Sequence, residues 1–162
     1  MKNELHLRLI HYLETHKVNY ESLSHPSAQT CQEAANLRGA SLSIGGKTLL
    51  IKTSKQSHTP EEYFLFTLAA DRNLDSKRVR KILGTHKMRF ANAQDLFKIA
   101  GVEKGALPPF GRPLLPLDLY LDESILENEL IAFNSGLTTH SIILRTEDYL
   151  KLVQPKINQF SK

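Results

Sequence analysis

The sequence predicts an α+β protein built on a mixed β-sheet, and three observations carry that expectation. Segments with helical apolar spacing are interspersed with short β-rich runs, and the two kinds follow no regular βαβ repeat. A nearly continuous apolar run, Tyr63-Phe-Leu-Phe-Thr-Leu-Ala69, reads as a strand buried on both faces. At 162 residues and 41% hydrophobic composition, the chain can bury one core and is short for two, so residues 1–162 are expected to form a single domain.

The elements follow from local chemistry. Leu5, Leu9, Ile10, Tyr12 and Leu13 recur at helical spacing, which predicts an amphipathic helix from about Asn3 to His16. Tyr20 to Leu23 reads as a short strand. Thr30-Cys-Gln-Glu33 has the pattern of a capping box, opening a helix through Leu37 that Gly39 can end. Leu49-Leu50-Ile51 then forms a strand that enters a hairpin through the polar stretch Thr53 to Pro60. Asp75 can cap a helix that turns Val79, Ile82 and Leu83 inward and stops at Gly84; Asn92 can cap another, with Leu96, Ile99 and Ala100 inward and Gly101 at its end. A Gly/Pro-rich loop runs from Gly101 to Pro113. Leucines alternating from Leu115 to Leu121 suggest a half-buried strand. Ile131–Asn134 and Ser141–Leu144 read as two strands joined through Ser135-Gly136, Thr146 as the cap of a last helix through Val153, and Pro155 as the start of a loose tail.

Gly46-Lys47-Thr48 resembles the end of a phosphate-binding P-loop, but the first glycine of that motif is replaced by Ser41. The motif also needs a strand before it and a helix after it, whereas here a strand follows. Lys47 therefore has another task or is solvated. Other classes fall away too. No run of eighteen apolar residues exists and the N-terminus lacks an apolar signal core, so no membrane association is expected and the protein reads as cytoplasmic. Cys31 is the single cysteine and has no internal disulfide partner. His6, His11 and His16 recur every five residues, which rotates them around a helix, so no metal and no cofactor are expected.

The formal charge is +4. Lys77, Arg78, Arg80, Lys81, Lys87 and Arg89 lie close together, while acids gather between Asp118 and Glu129. The basic stretch is either a solvated helix face or a footprint for a polyanion.

The order of the distinctive segments resembles the YbaK/prolyl-tRNA editing (ProX) family of aminoacyl-tRNA deacylases. The segments are "YESLSHPSAQTCQEAA", "GGKTLLIK", "FLFTLAADRNLDSKRVRKILG", "MRFANAQDLFKIAGVEKGALPPFG" and "AFNSGLTTHSIIL", spanning about Tyr20 to Tyr149. The resemblance implies a mixed sheet, partly closed like a barrel and flanked by helices, that hydrolyses the ester of a mischarged tRNA. It makes Lys47 the functional lysine, followed by Thr48, and Gly105-Ala106-Leu107-Pro108-Pro109 the G-x-x-x-P loop lining the amino-acid pocket. Gly101, Phe110 and Gly111 flank that loop. Asn134, Ser135, Gly136, His140 and Ser141 would form the opposite wall, and Tyr20 and His25 would approach it. Lys47 and Gly105 would carry the catalysis, and Lys77, Arg78, Arg80 and Lys81 would contact tRNA.

The chemistry suits these residue types. An aminoacyl ester is already activated, so positioning and electrostatic help at the oxyanion suffice, and the sequence offers no G-x-S-x-G elbow for a serine triad. On spacing alone, Lys47 reads as solvated, Gly105 and Pro109 as loop punctuation, Gly136 as a turn glycine and His140 equally as a half-buried strand histidine. The expected partner is an aminoacyl-tRNA, tRNA(Pro) carrying Ala, Cys, Ser or Thr, with prolyl-tRNA synthetase as a further partner and no DNA. Thr48 matches the cysteine-removing type while other segments follow no single subgroup, so the resemblance leaves the amino acid open. The alternatives are a non-catalytic module that recruits tRNA or a synthetase, and an interaction domain unrelated to RNA.

Overall fold

The computed structural model describes residues 4–53 and 60–162. The start of the first helix at Asn3 and the polar turn at 54–59 lie outside them. Five helices and eight strands are described: α1 (Glu4–Thr15), β1 (Tyr20–Ser24), α2 (Cys31–Arg38), β2 (Gly46–Thr53), β3 (Glu62–Ala69), α3 (Ser76–Leu83), β4 (Met88–Phe90), α4 (Ala93–Ala100), β5 (Leu119–Asp122), β6 (Leu130–Asn134), β7 (His140–Arg145), α5 (Thr146–Val153) and β8 (Lys156–Asn158).

The helix ends follow local capping chemistry. Thr30 Oγ1 accepts from Glu33 N, Asp75 from the amides of Lys77 and Arg78, and Asn92 forms a full capping box with Asp95. Gly39, Gly84 and Gly101 close α2, α3 and α4 in the left-handed conformation, where a side chain would be strained.

The fold is α+β with mixed pairing, as expected, and its strands are divided between two sheets. A five-stranded sheet runs β4-β2-β3-β5-β8 and an antiparallel three-stranded sheet runs β1-β7-β6. In the larger, β2 pairs antiparallel with β3 and β4, while β3/β5 and β5/β8 are parallel, so it is mixed. A parallel bridge between Gly45 and Ala132 joins the sheets where β2 begins, and the barrel stays open.

The β2–β3 hairpin divides two apolar cores. Leu50, Leu65 and Ala69 face the larger core, with α1, Phe110, Phe133 and Tyr149. Ile51, Phe66 and Leu68 face the smaller one, closed by Val79 of α3 and by Phe160. β3 is therefore buried on both faces, which is why its sequence runs apolar without alternating.

Three expectations fail for long-range reasons. The alternating leucines form a strand only from Leu119 to Asp122: Leu115 N–H bonds the Gly111 carbonyl and Leu117 N–H the Leu115 carbonyl, so the chain turns there, and every leucine of the series is buried. Thr146 does not cap α5. It is the helix's first residue, with Arg145 in the cap position making no side-chain bond, and Thr146 Oγ1 is buried without a partner. Nor is the tail loose from residue 155. β8 pairs with β5, Phe160 is fully buried, and the Asp122 carboxylate accepts from Phe160 N (2.7 Å), Ser161 N (3.0 Å) and Ser161 Oγ (2.7 Å).

Burial pushes the Asp122 carboxyl upward, but hydrogen bonds from Ser124, Phe160 and Ser161 outweigh it and hold it below the ordinary 3.8. A carboxylate with a lowered folded-state pKa stabilises fully above its unfolded pKa, and that contribution is lost as pH falls through the folded value. Asp122→Asn should therefore cost about 1–3 kcal/mol at pH 7, because the charge is lost and the amide NH2 that replaces Oδ2 cannot accept from the Ser124 N–H. Urea denaturation at pH 7 and near pH 3 checks this: the gap between native protein and variant should shrink at the lower pH, and a constant gap would remove the carboxylate charge from the tail's anchorage.

Candidate active site

One cleft of about 820 Å³ opens where β2 begins. Its floor is the segment Gly45 to Leu50. One wall is α2 with the residues before it, including Cys31 and Arg38; another is the turn after β3, with Asn73 and Leu74. Phe90 to Ala93 and the loop residues Lys104, Gly105 and Leu107 complete the rim, and Asn134, the last residue of β6, closes the inner end. Among the described residues lining the cleft, Arg38, Lys47 and Lys104 are cations and none is Asp or Glu.

Lys47, Thr48, Gly105, Leu107 and Asn134 thus line one cleft. Lys47 Nζ donates to the Arg72 carbonyl at 2.8 Å, which tethers the ammonium while leaving two of its three protons unassigned. Thr48 Oγ1 sits 2.8 Å from Thr67 Oγ1, so its side chain is engaged across the hairpin. Gly105 has φ +89°, and a Cβ there would meet the Gln29 carbonyl oxygen at 2.6 Å. No other residue fits without moving that backbone.

The Asn134 amide organises the inner end. Its Nδ2 donates to the carbonyls of Ala28 (3.1 Å) and Gly105 (2.9 Å), and its Oδ1 accepts from Arg38 Nη2 (3.2 Å). Arg38 Nε donates to Ser141 Oγ at 2.8 Å, and that hydroxyl also lies 3.0 Å from Asn134 Oδ1 and 2.7 Å from His25 Nε2. His25 and Ser141 stand directly behind the cleft. Burial lowers the Arg38 pKa to about 10, leaving it charged at neutral pH. Burial pushes the Cys31 thiol up, outweighing the downward pull of Lys47 and Arg38, so the thiol is a filler and not a nucleophile.

The other expected wall residues lie elsewhere. Strand alternation sends His140 to the face opposite Ser141, where its ring packs against His6 at 4.8 Å. Ser135 Oγ bonds His6 Nδ1 at 2.8 Å, and Gly136 packs against the backbone of His6 while its N–H holds the Ala106 carbonyl. Tyr20 donates to Glu14 at 2.6 Å, which pushes its pKa up to about 12, and does not line the cleft. Gly101 ends α4. Ala106 is fully buried in the larger core, so a larger side chain there would strain the core and not narrow the cleft. Pro108 and Pro109 are buried; the Pro109 carbonyl accepts from Tyr149 Oη, Phe110 packs edge-on against Phe133 and Tyr149, and Gly111 lies against the Leu117 carbonyl. The second half of the loop is therefore its anchor in the core.

Lys77, Arg78 and Lys81 are exposed on α3 and Arg80 is half-buried. The helix starts two residues after Leu74, which lines the cleft, and none of these four basic residues lines it. Sequence reasoning missed Arg38, Lys104 and Phe90. An exposed aromatic and two cations at a cleft were visible as residue types but not as neighbours.

A cleft with three cations and no carboxylate among the described lining residues suits an anionic ligand. The chain matches the aminoacyl-tRNA editing domain family over residues 25–152. It is 30% identical over 159 residues to the multifunctional Ser/Thr-tRNA deacylase ProXp-y of Escherichia coli K12, covering 97% of this chain and 93% of that protein. To the prolyl-tRNA editing protein ProX of Acetoanaerobium sticklandii it is 23% identical over 151 residues, covering 91% and 90%. A solved structure described as a candidate trans-editing enzyme for prolyl-tRNA synthetase superposes with a TM-score of 0.81 at 22% identity, covering 98% of each chain. The chain belongs to this family, the YbaK/prolyl-tRNA editing (ProX) group of aminoacyl-tRNA deacylases, and is accordingly a hydrolase acting on aminoacyl-tRNA.

Gly105→Ala tests the loop geometry. The positive φ and the contact with Gln29 should together cost about 1–3 kcal/mol, read as a lower Tm in a thermal melt. An unchanged Tm would mean that the Gln29 backbone yields freely.

Proposed function

We propose that the cleft binds the 3′ end of a tRNA mischarged with a small amino acid, Ala, Cys, Ser or Thr, and that Lys47 and Gly105 promote hydrolysis of the ester. The acceptor is proposed to be tRNA(Pro), with prolyl-tRNA synthetase as the enzyme whose errors are corrected. One observation carries the reading: among the described residues, three cations and no carboxylate line a cleft whose volume suits an aminoacyl-adenosine and not an amino acid alone.

In the reaction, a water oxygen attacks the ester carbonyl and negative charge gathers on the carbonyl oxygen. The tetrahedral intermediate then expels the ribose oxygen, which takes a proton, releasing the amino acid and free tRNA. Lys47 is a compact cation tethered at the cleft floor, suited to that oxyanion or to the terminal phosphate. The Gly105 N–H has no hydrogen-bond partner among the described residues and lies on the same cleft, a second donor for the oxyanion. Lys104 at the exposed rim and the basic face of α3 would follow the phosphates. The likeness to a relative named for serine and threonine favours a hydroxylated amino acid within the proposed set.

Lys47→Ala should lower deacylation by about tenfold to a hundredfold and cost at most about 1 kcal/mol of stability, since it loses one half-exposed hydrogen bond. Single-turnover assays with a panel of mischarged tRNAs, alongside a thermal melt, check both halves, and full turnover in a folded variant would return Lys47 to the solvated reading. Arg78→Ala with Lys81→Ala should weaken tRNA binding and flatten its salt dependence by about one unit of slope per lost phosphate contact. Titrations at several salt concentrations read the slope; an unchanged value would leave α3 as a solvated face.

A further inference from the structure

Arg38 is the one half-buried cation of the cleft whose charge the proposed reaction does not use. Its partners inside the protein are neutral: Nε bonds Ser141 Oγ, Nη2 bonds Asn134 Oδ1, and no carboxylate pairs with it among the described residues. Nη1 has no hydrogen bond among the described residues and lies beside Gly45 on the cleft floor. A half-buried guanidinium without a counter-ion is costly, and the neutral fork that orients it serves a donor aimed at something absent from the chain itself. Its position narrows the choice. Lys104 is exposed at the rim, where phosphates would run, whereas Arg38 lies at the inner end against the buried residues Asn134 and Ser141, the part of the cleft that only the aminoacyl group would reach.

We infer that Arg38, held by Asn134 and Ser141, is the residue that reads the side-chain hydroxyl of a seryl or threonyl group, and so sets the enzyme's preference for hydroxylated over methyl or thiol side chains. The inference rests on the reading of the cleft as an aminoacyl site. The substrate ammonium cannot supply the contact, since it is repelled by Arg38 and Lys47 alike. A hydroxyl oxygen accepts from Nη1. An alanyl methyl accepts nothing and a thiol accepts weakly, so those substrates leave a desolvated charged donor unpaired. A site built to bond a hydroxyl discriminates far more strongly than one that only measures size.

The test compares the native chain with Arg38→Met and Arg38→Lys on seryl-, threonyl-, alanyl- and cysteinyl-tRNA. In Arg38→Met, the seryl-to-alanyl ratio of kcat/KM should fall by about tenfold or more, and Arg38→Lys, which keeps the charge without the fork, should recover only part of it. The Tm of Arg38→Met should not fall: Asn134 Oδ1 and Ser141 Oγ keep each other, and a buried unpaired charge is removed. A lowered Tm would make Arg38 structural and overturn the inference. Equal loss on all four substrates would do the same, because Arg38 would then act on a group they share, as would a ratio that stays put at full activity. The two readings fail separately: a native protein inactive on all four tRNAs defeats the small-amino-acid reading, and an active native protein with an unmoved ratio defeats only the role of Arg38.

Discussion

The side-chain amide of Asn134 is the constraint on which the cleft depends. Its two protons go to the carbonyls of Ala28 and Gly105, and its oxygen receives Arg38. One buried residue at the end of β6 thus ties the segment before α2 to the Gly105 loop and orients the Arg38 guanidinium beside them. None of these pieces has a ladder of backbone hydrogen bonds to hold it to the others. The amide orientation is fixed by chemistry, since both carbonyls can only accept and the guanidinium can only donate. A fully satisfied buried network specifies one geometry, and a half-satisfied one would be worse than an apolar wall.

The floor and the walls are built on different principles. The floor is the start of β2, clamped between two cores and paired along its whole length with β3. Lys47 is therefore carried by one of the best-anchored parts of the fold. The Gly105 loop is pinned at its far half instead, by Phe110 among aromatic rings and by Tyr149 Oη on the Pro109 carbonyl. Rigid supports on both sides of a loop-lined cleft are what an ester hydrolase without a covalent nucleophile requires, because positioning supplies much of its rate.

What was legible in the sequence was local. Thr30, Asp75 and Asn92 cap helices, and Gly39, Gly84 and Gly101 end them, because capping is decided within four residues. The double burial of β3 could be read from its unbroken apolar run. Pairings across long stretches of chain were not legible: the tail returning to Asp122 and the placement of β5 between β3 and β8. In the site, Lys47, Gly105 and Asn134 were found through the motifs that the resemblance singled out. His140 and Ser141 were taken together although neighbours on a strand face opposite ways, a period-two argument that the sequence already allowed. Arg38 was overlooked because an arginine in the last turn of a helix has a sufficient local explanation in the helix dipole.

The two inner cations differ in geometry, and the roles proposed for them follow from that difference. Lys47 is a point charge on a flexible stem, held by one carbonyl and able to follow a charge as it develops. Arg38 is a planar fork held at two of its nitrogens, so the direction of the third is set before any ligand arrives. The first arrangement suits a transition state, in which charge moves; the second suits recognition, in which a fixed donor meets a fixed acceptor. Among the described residues lining the cleft, no carboxylate counters either cation. On the proposed reading an anionic ligand would supply that counter-charge, and its binding would stabilise the folded state by mass action.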